Sequence, residues 1–312
     1  MMTNSNTARR LRSLLGDILT RTGFEVVRTG SSSANLGGVG IGSVRVIKRS
    51  SPVSIWSPEQ STPTAIEEVV SLLRKGRTVI AGVDPALCRQ AWWFDLQHAS
   101  PFSRAARALL TGDKDRATSI LVKFYQRVQP QDAASRLGLD PQQSPLRRFS
   151  PFAAPMPWDV LSPAVIEKRR IAMYQEENER DGLGRVAYSA LFGPVPVAKI
   201  ESEVERLGRL LASIRQEGYH RSDQPDGDIN GFLLVSQVRN SAAVRLDAGG
   251  NHRAAVLAAL GRRVIPVRLT PRQLIIREDS GNWPQVESGT LSQAQALSIF
   301  DRIVKGDPVD GW

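Results

Sequence analysis

Gly249-Gly250-Asn251-His252-Arg253 is the stretch of this chain whose residue types and spacing point most directly to chemistry. It follows Val244-Arg245-Leu246-Asp247, which alternates like a strand, and precedes Ala254 to Leu260, which reads as a helix stopped at Gly261. A glycine pair at such a junction leaves backbone N–H groups pointing outward, where the helix dipole favours an anion. Arg253 in the first helical turn can grip a phosphate through two parallel hydrogen bonds, with Asn251 and His252 as further donors. The plain alternative is a glycine turn whose arginine pairs with a local carboxylate such as Asp247. Short Gly-x-x-Arg matches are common, so the motif alone leaves both readings open.

Chemistry on a phosphate also asks for a base. Val195-Pro196-Val197-Ala198-Lys199-Ile200 reads as a strand. The helix Glu201 to Gly218 follows, with Val204, Leu207, Leu210, Leu211 and Ile214 on one face. This places Glu201 at the helix start as the candidate catalytic carboxylate, with Glu203 behind it in reserve. The plainer reading of acidic residues in a first turn is capping and the helix dipole. Arg206 and Arg209 read as solvated charges, with one of them reaching the phosphate pocket as the other option. His98 and His220 have no partners at metal-ligand spacing, so no metal site is assigned.

The order helix, strand (Gly231 to Val235), strand, GGNHR turn, helix, Gly261, strand (Val264 to Leu269) resembles the ParB/sulfiredoxin-like superfamily, which includes ParB-like nuclease domains. The resemblance spans about residues 189–270 and is most specific from Gly250-Asn251-His252-Arg253-Ala254 through Gly261 to Ile265-Pro266-Val267. It implies an α+β domain whose Gly-x-x-Arg turn binds nucleotide phosphates, as in CTP-binding partition proteins, ATP-using sulfiredoxins and free-serine kinases. It thereby implies a nucleoside tri- or diphosphate with Mg²⁺ at Gly249, Gly250, Asn251, His252 and Arg253. If the chain is an enzyme, the implied class is a phosphotransferase or nucleotide hydrolase. Asn251 stands where sulfiredoxins carry cysteine, so repair of a sulfinic acid lacks its nucleophile. Only 43 residues follow Leu269, fewer than the DNA-binding and dimerisation parts of partition proteins would fill. Asp247 sits two residues further from the arginine than the kinase-type turn wants, and no carboxylate cluster of a nuclease is visible.

Elsewhere the pattern is mixed α/β. Helical spacing is read over Ala8–Thr20, Pro63–Lys75, Phe102–Leu110, Thr118–Val128 and Gln131–Leu137, and strands over Phe24–Val27, Val44–Ile47 and Thr78–Gly82. The Gly/Ser stretch Gly30–Gly42 fits neither G-x-G-x-x-G nor a P-loop and reads as a hairpin loop. Prolines 141, 145, 151, 155, 157 and 163 mark a linker or arm over 139–163. Ser162-Pro163 then opens a helix to about Arg180. The expected organisation is a basic α/β region over 1–138, the Pro-rich linker, and a ParB/sulfiredoxin-like domain over 164–312. In the tail, Leu274-Ile275-Ile276 reads as a strand, and Thr290 with Gln293 as a capping box for the helix Leu291–Val304. Trp283 and Trp312 read as cover for the core.

Composition narrows the function classes. Apolar residues make 41% and charged residues 23% of the 312, which supports a folded core rather than disorder. One cysteine, Cys88, excludes an internal disulfide framework and a thiolate zinc site. With no long apolar run and no signal-like leader, the expectation is no membrane span and a cytoplasmic location. The formal net charge is +10, and it is uneven: residues 1–150 hold 21 basic and 11 acidic residues, residues 151–312 hold 20 of each. The rival to an enzyme is therefore a DNA- or partner-binding protein that uses the basic half, against the plain alternative of scattered solvated charges.

Overall fold

The structure is a computed structural model that describes residues 24–28, 44–48, 52–90, 93–221, 227–247 and 249–308. The helix expected over 8–20, the Gly/Ser stretch 30–42 and Trp312 lie outside the described residues. The chain divides into two compact units, Met1–Pro52 and Val53–Trp312. In the first, β1 (Phe24–Arg28) and β2 (Val44–Lys48) pair antiparallel with Val26 opposite Val46, as their alternation predicts.

The second unit is mixed α/β. Two mixed sheets run through it, in the orders β3-β4-β8 and β5-β7-β6-β9. The strands are β3 (Val53–Ser54), β4 (Val79–Val83), β5 (Cys88–Arg89), β6 (Gly231–Ser236), β7 (Ser241–Leu246), β8 (Ile265–Leu269) and β9 (Leu274–Ile276). β4 is buried along its whole length and pairs antiparallel with β8, and β5 pairs parallel with β7. Strands from before residue 90 thus complete sheets whose other members come after residue 230. The helices are α1 (Ile66–Arg74), α2 (Pro101–Leu110), α3 (Lys114–Arg127), α4 (Ala133–Arg136), α5 (Pro163–Arg180), α6 (Val197–Glu217), α7 (Asn251–Ala259), α8 (Pro284–Glu287) and α9 (Gln293–Lys305).

Local chemistry sets the helix limits. The Ser100 side chain accepts from the Ser103 N–H with Pro101 behind it to open α2, and the Asp113 side chain accepts from the Arg116 N–H to open α3. Phe102 of α2 and Phe124 of α3 meet edge-on at 5.9 Å, and Phe94 meets Phe124 at 6.1 Å, which forms the aromatic centre of the core. α7 packs against both α2 and α6. Among the described residues no helix is long and apolar enough to cross a membrane.

Three expectations are corrected. Residues 195–200 are not a strand: Pro196 caps α6, which begins at Val197. Proline in the flanking position and a buried Lys199 decide for helix over the β-branched pattern. The box that opens α9 is Ser292 with Gln295, two residues beyond the expected pair. Finally, 139–163 is not a linker between two domains. Leu146, Ala153 and Ala154 are buried in the common core, Arg170 donates to the Ala154 carbonyl at 2.7 Å, and Gln285 donates to the Leu161 carbonyl at 2.9 Å. The prolines mark a string of short 3₁₀ turns pinned to the core by such bonds.

Because both sheets join residues on either side of this stretch, a fragment of residues 164–312 lacks β4 and β5 and is expected to stay largely unfolded. Far-UV circular dichroism and urea denaturation check this. A cooperative transition in that fragment matching residues 53–312 would contradict the shared core.

Candidate functional site

The GGNHR turn lies where β7 hands over to α7. Gly250 occupies the N-cap with φ 89°, in the left-handed region, and a Cβ there would sit 2.8 Å from the Ile229 Cα. Both the backbone angle and the close approach demand glycine. Gly249 lies beside it in the same turn. Asn251 starts the helix: its Nδ2 donates to the Asp247 carbonyl at 2.8 Å, while its buried Oδ1 has no hydrogen-bond partner. Arg253 donates from Nη1 to the Gly227 carbonyl and from Nη2 to the Asp228 carbonyl at 3.2 Å. The arginine therefore ties the turn to the segment before β6 as well as facing the pocket beside it.

His252 points into a cluster of charges that the strand assignment of 195–200 had concealed. Its Nε2 lies 2.5 Å from Glu203 Oε2, and its ring stands edge-on to Phe102 at 5.1 Å. Glu203 has no exposed side-chain surface, and neither does Lys199, whose Nζ lies 2.8 Å from Glu203 Oε1 at an angle outside hydrogen-bond geometry. Lys199 Nζ also lies 3.7 Å from Glu177 in the last turn of α5 and 3.5 Å from Asp181, which caps the end of that helix. Arg206 closes the cluster with 2.6 Å contacts to Glu177 and to Asp181. Lys199, Glu203 and Arg206 follow each other at i, i+4 and i+7, so α6 presents them on one face.

The electrostatics follow from this packing. Burial alone would push the Glu203 carboxyl up, but His252, Lys199 and Arg206 outweigh it and hold it far below the usual carboxylate range. Burial works against the charge on Arg206, and Glu203, Glu177 and Asp181 more than offset it, raising its proton affinity. A carboxylate held so firmly ionised is a poor proton acceptor. Its geometry suits it to fix the orientation of the His252 ring instead.

Beside this cluster Arg206, Arg209, Ser213, Gly250, His252 and Arg253 line an open pocket of about 440 Å³, with Leu210 as its apolar wall. Among the described residues no carboxylate lines it. Helix N-terminus, guanidinium groups and imidazole make it chemically suited to a phosphate. Of the residues singled out in the sequence, Gly250, His252 and Arg253 line this pocket, while Asn251 turns to a different cavity. Glu203 stands behind His252. Glu201 is exposed on the second turn of α6, does not line the pocket and caps nothing, since the helix starts four residues earlier. Arg206, read from sequence as solvated, is half-buried and paired, whereas Arg209 is 69% exposed and lies 3.8 Å from Glu205. Lys199, Glu177 and Asp181 were missed altogether. Among the described residues no group of three or more His, Cys, Asp or Glu side chains could hold a metal ion.

Removing the Glu203 charge leaves Lys199 buried without its nearest partner, so Glu203→Gln is expected to cost about 3–5 kcal/mol. The pH dependence has a definite sign. A carboxyl lowered in the folded state stabilises the protein above its ordinary value of 4.5, and that stabilisation is lost as the pH falls through and below it. Urea midpoints measured from neutral to acid pH should fall for the parent chain and fall less steeply for Glu203→Gln.

Comparison of the chain with protein-family models, with curated proteins and with solved structures finds no match.

Proposed function

We propose that this chain binds the phosphate groups of a nucleotide, or of another phosphorylated small molecule, in the pocket at the start of α7. The observation that carries the reading is the convergence of Arg206, Arg209, Arg253 and His252 on a helix N-terminus whose pocket has no acidic lining among the described residues. The succession α6, β6, β7, GGNHR turn, α7, β8 keeps the order on which the ParB/sulfiredoxin-like resemblance rests. Mg²⁺ would enter with the phosphates, since the lining offers it no carboxylate. Phosphoryl transfer is the reaction class such a pocket serves, by holding charge in place. In that role His252 faces the ligand and Glu203 positions it. Glu201, exposed and remote from the lining, is left without a part.

A thermal-shift screen with ATP, ADP, CTP and GTP, each with and without Mg²⁺, tests the reading. A ligand at 100 times its Kd adds about 2.7 kcal/mol to stability. Arg209→Ala is expected to weaken the response about tenfold in Kd without lowering the melting temperature of the free protein, because Arg209 is exposed. Arg253→Ala is expected to lower both, because it also loses the bonds to Gly227 and Asp228. A screen in which none of the four nucleotides shifts the transition would overturn the reading.

A second reading, a protein that binds nucleic acid without catalysis, is favoured by a separate feature. A groove of about 1100 Å³ between α2 and α3 is lined by Arg104, Arg107, Arg116, Lys123, Arg127 and His98, with no acidic side chain among the described residues. Arg116, Lys123 and Arg127 recur at i, i+7 and i+11, one face of α3. Among the described residues no Phe, Tyr or Trp lines the groove, so it suits phosphates rather than stacked bases. Binding of a short DNA duplex is expected to weaken steeply as salt rises, and the triple change Arg116→Ala, Lys123→Ala, Arg127→Ala is expected to flatten that dependence. Fluorescence anisotropy across a salt series checks both.

A further inference from the structure

Asn251 faces away from the pocket of Arg206 and Arg253 into a cavity of about 100 Å³ on the other flank of the GGNHR turn. Three guanidinium groups from three elements meet there: Arg136 of α4, Arg170 of α5 and Arg245 of β7. Arg136 Nη1 donates to the Pro151 carbonyl at 2.6 Å, and Arg170 Nη1 donates to the Phe152 and Ala154 carbonyls at 3.0 and 2.7 Å. Those bonds fix the two forks and leave their other N–H groups unspent. Arg245 lies over the Phe232 ring at 5.6 Å. None of the three belongs to an ion pair among the described residues. Burial, reinforced by repulsion from Arg170 and Arg245, pulls Arg136 down to about 9. An anion between them would relieve that repulsion.

Two acceptors share the same space. Asp247 and Asn251 both line the cavity, and the Oδ1 of Asn251, a residue only 9% exposed, is buried without a hydrogen-bond partner. A buried acceptor with no donor is a costly arrangement that a ligand would repair. Trp93, on the wall, holds φ 66°, a strained angle for a bulky residue of the kind that collects at binding sites.

We propose that this cavity binds a compact oxyanion, a carboxylate or phosphate of a few heavy atoms, which also carries a hydroxyl or ammonium donor. The three arginines hold the oxyanion and Asp247 with Asn251 accepts the donor. Cavity size excludes a nucleoside, and the site stands apart from the pocket of Arg206, Arg209 and Arg253, whose occupancy it does not require.

Isothermal titration of the full chain with glycolate, glycine and inorganic phosphate tests this, with acetate as the probe that has the charge but lacks the donor. At least one of the first three is expected to bind in the millimolar range or better, and acetate about tenfold more weakly. The Arg245 side chain forms no hydrogen bond among the described residues, so Arg245→Met is expected to fold and to weaken that binding at least about tenfold, with the more conservative Arg245→Lys in between. Arg209→Ala, in the other pocket, is expected to leave it unchanged. The glycolate and phosphate arms separate a carboxylate ligand from a phosphate one. The proposal is overturned if none of the three probes binds, if acetate binds as well as they do, or if binding is lost with Arg209→Ala and kept with Arg245→Met. Nucleotide binding that fails in the same preparation bears on the other pocket alone.

Discussion

A carboxylate with no exposed surface, Glu203, is held between Lys199 and His252, and much of the molecule's arrangement follows from keeping it there. An ionised group in the interior persists only if its partners remain in place, because removing one leaves an uncompensated charge. Lys199 must stay on the face of α6 that looks at α5, where Asp181 and Glu177 share it with Arg206. His252 must stay in the first turn of α7. Three helices from different parts of the chain are thus registered against one another by a set of charges rather than by apolar contact alone. Such a set adds little net stability over a well-packed apolar core, but it penalises any other packing of those helices strongly.

The same constraint fixes what the GGNHR turn can present. With His252 turned back towards Glu203, the helix rotation sends Asn251 one way and Arg253 the other, at the 100° steps of an α-helix. Arg253 meets the carbonyls of Gly227 and Asp228, and the Asp228 carboxylate is taken up by Arg221 at 3.0 Å and Arg268 at 3.0 Å. The Asp228 charge is therefore taken up within the fold, while Asp247 stays on the wall of the cavity on the other flank of the turn. One flank is the wider pocket walled by α6, and the other is the smaller cavity walled by α4, α5 and β7. A single turn separates two chemically different spaces.

How far the sequence discloses this depends on which residues carried a local signal. The limits of α5, the strands around the turn and the start of α7 within three residues of expectation follow from capping residues, alternation and glycine stops, all of them local. The glycine at 250 is legible for the same reason. The buried cluster is not, because its signal is the spacing of Lys199, Glu203 and Arg206, which registers only if 197–200 is helical. A Val-Pro-Val run hides that. Nor can local pattern show that β4 and β5 complete sheets begun more than 150 residues later, or that prolines 141 to 157 lie against a core instead of spanning solvent. Those are decided by which edge of a sheet is left open, a property of the assembled fold.

The charge asymmetry takes on a different meaning once the two halves are seen to interleave. From sequence it divides a basic region from a neutral one, as if two activities sat on two domains. In the fold, α2 belongs to both settings. Its inner face carries Phe102, Ala105 and Ala106 into the core, where Phe102 stands edge-on to His252. Its outer face carries Arg104 and Arg107 to the wall of the basic groove. A ligand that shifted α2 by even a fraction of an ångström would press on the ring of His252, because close-packed interiors transmit displacement rather than absorb it. The basic groove thus lies on one side of α2, and His252, which lines the pocket at the start of α7, packs against the other, so any account of either must reckon with that helix.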